Sequence, residues 1–255
     1  MSLFPGIRGL VKRCVGRSVP SRKVFRGEVE NKFGLEIGGP SAPFRDSGEL
    51  PLYRWIARLD NCVFSSETIW EGKRSEGKAF QYDPRKPNGF NFIREATYLH
   101  NIVDDTYDFI LSSHSLEHTA NPIKALKEWM RVTKPGGAII ILLPYYRHTF
   151  DHRRKPTTVQ HMVKDYECGT DERDMTHLEE ILDLHDLSRD PQAGAAEQFR
   201  SRSLKNYENR CLHHHVFDEH NSRELLDAAG LTVEIVEVTK PFHIAILSRC
   251  PAARG

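Results

Sequence analysis

Residues 107–144 read YDFILSSHSLEHTANPIKALKEWMRVTKPGGAIIILLP, and this stretch decides the fold. Tyr107 to Ser113 and Ala138 to Leu143 are strand-length runs, and the second is apolar at every position, as a central strand covered on both faces must be. Between them Asn121 and Pro122 open a helix, because proline suits the first helical turn. Ala125, Leu126, Trp129 and Val132 then fall on one face of that helix. Lys134-Pro-Gly-Gly137 ends it. A strand, a helix and a second strand in this order predict a mainly parallel sheet flanked by helices.

The same alternation extends in both directions. Upstream, Phe33 to Ile37 is a buried strand that runs into Gly38, Gly39 and Pro40, where the chain must turn sharply. Asn61 to Ser65 reads as a second strand, and a third lies around Phe92 to Tyr98. Downstream, Ser222 to Ala229 is a helix stopped by Gly230. Leu231 to Thr239 and Phe242 to Arg249 are strands with only Lys240 and Pro241 between them, the spacing of an antiparallel hairpin. Residues 145–215 break the rhythm: they are polar, with helical patterns at about Thr157–Tyr166, His177–Leu187 and Ala195–Tyr207, and are expected to form a helical insertion over the sheet's edge. The expected organisation is a basic N-terminal extension over 1–27 and one α/β domain over 28–255, interrupted by that insertion.

The chain has 255 residues, 39% hydrophobic and 28% charged, which excludes disordered, collagenous and membrane-spanning classes. Five scattered cysteines, an odd number with no Cys-x-x-Cys pair, point to a reducing, cytoplasmic setting. The net charge of +1 hides an asymmetry. Residues 1–27 carry seven basic side chains and no acid, leaving 29 basic against 35 acidic residues in the rest, a balance that argues against a nucleic-acid partner. Phe4, Ile7, Leu10, Val11, Cys14 and Val15 recur at helical spacing, so the extension reads as a docked helix or frayed tail, a membrane-surface contact, or a targeting segment.

In an open parallel sheet, ligands bind beyond the carboxyl ends of the strands where strand order reverses, and the glycine turn after the first strand commonly forms the floor. Glu36-Ile-Gly-Gly fits that role, although alone it reads more readily as a structural glycine turn. Taken in order, Glu36-x-Gly-Gly, Glu95-Ala96, YDFILSSHSLEH and LKEWMRVTKPGGAIIILLP resemble the class I S-adenosylmethionine-dependent methyltransferases of the type 11-like group, over roughly residues 33–144 and 216–249. The resemblance implies a Rossmann-like, mainly parallel seven-stranded sheet with S-adenosyl-L-methionine as cofactor. It assigns Glu36, Gly38 and Gly39 to the amino-acid end of that cofactor, Glu95 and Ala96 to the adenine edge, and Ser113 and His114 to the neighbourhood of the sulfonium. Two ribose hydroxyls are best fixed by one carboxylate; Glu67 and Glu71 are the candidates, each equally readable as a surface residue. Pro40 stands where the group usually has a third glycine and offers no N–H.

Thirteen histidines are many for this length, and nine lie between His148 and His220. His148 and His152 flank Asp151 just after the fifth strand, and His213-His214-His215 form a second group. One of these, with His148, His152, Asp151 and His214 as the selected catalytic set, is placed to take a proton from a substrate hydroxyl. The same residues read also as ligands of a divalent metal or as packing groups. Arg153 and Arg154 suit a carboxylate or phosphate, or alternatively the acids of the insertion; His118 reads as a packing residue at a helix start. The expected function is methyl transfer, preferably to oxygen, on a small-molecule or saccharide acceptor. Two alternatives stay open: a noncatalytic binding protein of the same fold, and a metal-dependent enzyme of a different reaction.

Overall fold

A computed structural model describes residues 19–68 and 72–252. The patterned stretch from Phe4 to Val15 and the ribose candidate Glu71 lie outside the described residues. A short helix, α1 (Arg22–Val29), buries Phe25 and Val29 and precedes the first strand. The strands are β1 (Phe33–Ile37), β2 (Arg58–Val63), β3 (Glu67–Thr68), β4 (Gly72–Lys73), β5 (Gly77–Phe80), β6 (Gly89–Ile93), β7 (Tyr107–Ser113), β8 (Thr133–Pro144), β9 (Thr232–Thr239) and β10 (His243–Arg249).

Eight of these form one sheet in the order β5-β6-β2-β1-β7-β8-β10-β9. Pairing is parallel from β6 through β8, and β9 and β10 close one edge as the expected antiparallel hairpin. The eighth strand is β5, which pairs antiparallel with β6 at the other edge. Strand order reverses between β1 and β7, so the cleft for a ligand opens at their carboxyl ends.

Helix α2 (Pro122–Val132) begins as the sequence dictates: the Asn121 side chain accepts a hydrogen bond from the Lys124 amide, and Pro122 occupies the first turn. Its buried face carries Ile123, Ala125, Leu126, Trp129 and Val132. Trp129 also donates through Nε1 to the Ala96 carbonyl at 3.1 Å, so the helix fixes the loop after β6 as well as the sheet. Two apolar layers sandwich the sheet. One gathers Leu35, Ile110, Trp129, Ile141 and Leu226; the other gathers Phe25, Phe44, Tyr53, Phe109 and Ile140.

The insertion contains α3 (Val159–Cys168), α4 (Leu178–Leu184), α5 (Ala196–Ser203) and α6 (Asn206–Asn209); the last two divide what the sequence pattern reads as one helix. It keeps its own small core of Leu178, Ile181, Phe199 and Leu212. Its side chains reach the same cleft as the loops after β1, β2, β6 and β7, so it lies over the carboxyl ends of the strands. Tyr145 pairs with Phe217 in a parallel bridge, and the Tyr146 amide donates to the Phe217 carbonyl at 3.1 Å, so the chain enters and leaves the insertion side by side. Helix α7 (Glu219–Ala229), capped by Asp218, returns it to the sheet. No helix among the described residues is long and apolar enough to cross a membrane.

Candidate active site

A cavity of about 670 Å³ opens at the switch point, within the range of small-molecule sites. Its floor is the loop after β1. Gly38 sits at φ +79°, in the left-handed region that favours glycine, and a Cβ there would lie 2.4 Å from Ser115 Oγ. At Gly39 a Cβ would meet the Glu36 carboxylate at 2.3 Å. The loop is held from below. Buried Asn61 accepts from the Gly39 amide at 2.9 Å, donates to the Gly39 carbonyl at 3.1 Å, and also donates to Asn91 at 2.8 Å. Glu36, fully buried, accepts from the Tyr53 hydroxyl and from the Ser41 amide at 3.1 Å. Gly38, Pro40 and Ser41 line the cavity, whereas Glu36 and Gly39 stand behind that surface and shape it.

A Gly38→Val protein is expected to keep its fold and to lose about tenfold or more in affinity for S-adenosylhomocysteine, since a side chain at this φ costs about 1–3 kcal/mol and crowds Ser115. Calorimetry on the variant, with circular dichroism as the folding control, checks this; undiminished binding would move the site elsewhere.

Glu95 and Ala96 line one wall, as do Ser113 and His114. Arg210, arriving from the insertion, donates to Glu95 Oε1 at 2.5 Å, so the insertion is ionically tied to the wall expected to hold adenine. Glu172 lies beside it; burial pushes its carboxyl up to about 7 against the pull of Arg210. Glu67 is exposed in the two-residue strand β3 and does not line the cavity.

The histidines divide sharply. His148 is in the cavity wall, its Nδ1 bonded to the Pro241 carbonyl at 2.9 Å. His152 turns instead to Asp186, Nε2 to Oδ2 at 2.8 Å, and His214 is buried against the Asn206 side chain at 3.0 Å; neither lines the cavity. Burial depresses His214 to about 3. Asp151 is buried too and reaches the cavity through His213, whose Nδ1 lies 2.5 Å from Asp151 Oδ2. Burial opposes charge on His213, but the Asp151 carboxylate overcomes it and holds the imidazole above its ordinary pKa. His213, not His214, is thus the member of the triplet that faces the cleft.

Sequence reasoning also passed over Glu117, which is fully buried, lines the cavity and has no hydrogen-bond partner for either carboxylate oxygen. His114 Nδ1 stands 3.5 Å from it and His118 Nε2 4.0 Å. Burial alone would raise this carboxyl, but His114, His118 and His213 together bring it down to about 2. His118 lines the cavity as well, its Nδ1 bonded to the Leu212 carbonyl at 3.1 Å, rather than only packing at a helix start. Arg154 is not available to a substrate: its side chain is 1% exposed and bonded to Asp151 Oδ1 at 3.1 Å and the His213 carbonyl at 2.8 Å. Arg153 is exposed beside Asp186.

Comparison with known proteins bears on the fold and on one stretch of the chain. Residues 72–141 match the family described as a methyltransferase domain. A demethylmenaquinone methyltransferase of Paenarthrobacter aurescens is 26% identical over 149 residues, covering 53% of this chain and 51% of that protein. Another, from Renibacterium salmoninarum, is 31% identical over 134 residues, covering 52% and 46%. The chain thus aligns with about half the length of these relatives. Among solved structures, a Bacillus halodurans protein assigned as a methyltransferase superposes with a TM-score of 0.52 at 10% identity, covering 91% of this chain and 97% of that one. A chain from the complex of the Haloferax volcanii Trm112 methyltransferase activator with a protein assigned as a methyltransferase superposes with a TM-score of 0.51 at 14% identity, covering 96% and 93%. At such identities the superpositions speak for the fold alone. The ordered motifs, the matched stretch and the sheet topology agree: the chain carries a segment similar to the methyltransferase-domain family over residues 72–141, set in a fold shared with solved methyltransferase structures.

Proposed function

We propose that this protein binds S-adenosyl-L-methionine on the Gly38 loop and transfers its methyl group to a hydroxyl of a small-molecule or saccharide acceptor seated under the insertion. The observation that carries the reading is the meeting in one cavity of the Gly38 floor and His213, which Asp151 holds from behind. Methyl transfer is an in-line displacement at a sulfonium, so the protein must align two reactants and take a proton from the acceptor. Asp151 accepts the Nδ1–H of His213, which fixes the ring and leaves Nε2 as the proton-accepting nitrogen. When bound, the cofactor would supply the electrophilic methyl; Gly38 and Ser41 would give its amino-acid end room and polar contacts, and Glu95 with Ala96 would border the adenine.

Calorimetry with S-adenosylhomocysteine tests the donor half, and a methyl-transfer screen of saccharides, phenols and the relatives' demethylmenaquinone tests the acceptor half. A chain that binds neither donor nor product would be a noncatalytic member of the fold. A second reading of the acceptor side rests on Glu117, His118 and His213, which offer ligand atoms within 4.8 Å of one another: a divalent cation there would orient and acidify the acceptor hydroxyl. A cation lost in Glu117→Gln and kept in His161→Gln would be seated in this cleft.

A further inference from the structure

Outside the cleft, the insertion carries a second convergence of histidines. His161 projects from α3, His177 caps the start of α4, and His215 lies on the segment leading to the Phe217 bridge. One ring nitrogen of each lies within 4.8 Å of the other two, and none of the three lines the cleft. The tightest pair is His161 Nε2 to His177 Nε2 at 3.1 Å. Two nitrogens bound to one tetrahedral zinc at about 2.0–2.1 Å are separated by about 3.3 Å, so these rings already stand at nearly the coordinating distance.

The surroundings complete the set. Asp165, one helical turn after His161, places Oδ2 at 3.4 Å from His161 Nε2, and that buried oxygen has no hydrogen-bond partner. His215 is 1% exposed and donates Nε2–H to the Ala120 carbonyl at 3.2 Å, which leaves Nδ1 carrying a lone pair; that nitrogen also has no partner. The Glu180 carboxylate stands 3.7 Å behind His177 Nδ1. A carbonyl or carboxylate behind the ring is what fixes the tautomer of a metal-binding histidine. Three imidazoles and one carboxylate suit zinc rather than magnesium or calcium.

We infer that His161, His177 and His215, with Asp165 as fourth donor, form a structural zinc site that ties α3, α4 and the exit of the insertion together. It does not depend on the reaction proposed above.

The test uses the full chain, stripped of metal by chelation and dialysis and then titrated with Zn2+ alone, reading bound zinc by elemental analysis and the thermal midpoint. Wild type is expected to take up one equivalent and to melt at a higher temperature with it. His161→Gln and His177→Gln, whose side chains are 38% and 16% exposed and therefore tolerate exchange, should each weaken zinc binding at least tenfold and lose the thermal gain. Glu117→Gln, in the cleft, should keep both, and a Co2+-loaded wild type should show the visible absorption of tetrahedral cobalt. Absence of uptake by wild type overturns the inference. So does uptake unchanged in both histidine variants, or uptake lost in Glu117→Gln and retained in His161→Gln.

Discussion

A His213→Gln protein turns over at least about a hundredfold more slowly than wild type while binding S-adenosylhomocysteine within about twofold of it, because a positioned base contributes on that order to rate and does not touch the donor. The pH dependence carries the sign. The neutral ring is the competent base, and Asp151 holds the His213 pKa above its ordinary value, so wild-type turnover rises with pH through a point displaced to the alkaline side of an unperturbed histidine. In Asp151→Asn the carboxylate is gone while the burial stays, and burial favours the neutral ring; the rising limb then moves to lower pH, with a lower plateau from lost orientation. Steady-state rates across pH with the acceptor found by the screen check both statements. Full turnover by His213→Gln would remove proton transfer from this side chain and with it the proposed mechanism.

Arg154→Met is expected to cost about 3–5 kcal/mol, the usual penalty for breaking a buried ion pair from one side. The guanidinium is 1% exposed and the Asp151 carboxyl it faces is 4% exposed, so neither recovers hydration when the other is removed. For a domain of this size the loss corresponds to a fall of about 10 °C or more in melting temperature, readable by calorimetry. Linkage gives the acid side of the same result. Asp151 and Glu117 are both held at about 2, below the unfolded carboxyl values of about 4. Their contribution is therefore fully present above about pH 4–5 and disappears as pH falls through the folded values. Urea midpoints of wild type should drop steeply over that window. Arg154→Met should show a shallower drop, having already lost part of what Asp151 provides.

The central sheet was legible because its signals are local. An unbroken apolar run such as Ala138 to Leu143 has few homes other than a covered strand, and Asn121-Pro122 followed by Ala125, Leu126 and Trp129 specifies where the helix starts and which face it buries. Strand β5 escaped because Gly77–Phe80 is short and mostly polar, and pairs only at an edge, where no periodicity is imposed. The glycine floor was legible; what holds it was not, since Asn61 looks like an ordinary strand residue until Gly39 and Asn91 are brought to its side chain. The histidine triplet marks the limit most clearly. Three adjacent imidazoles face the cleft, Asn206 and the Ala120 carbonyl, and that assignment depends on the local path of a segment without regular structure. Glu117 was hidden for the same reason: its significance lies in neighbours contributed from almost a hundred residues away.

The side-by-side entry and exit of the insertion at Tyr145 and Phe217 has a consequence for how such a chain can diversify. A segment whose two ends meet at one hydrogen-bonded bridge can be exchanged without moving the framework it interrupts, as inserted modules with neighbouring termini generally can. Residues 33–144 hold the glycine floor and one wall of the cavity, and the stretch that follows supplies the side chains that face them from the insertion. Selection for a new acceptor can therefore revise the insertion's sequence while the framework is left untranslated into any compensating change, and a chimera cut at these two residues would be the natural unit of transplantation between cousins of this fold.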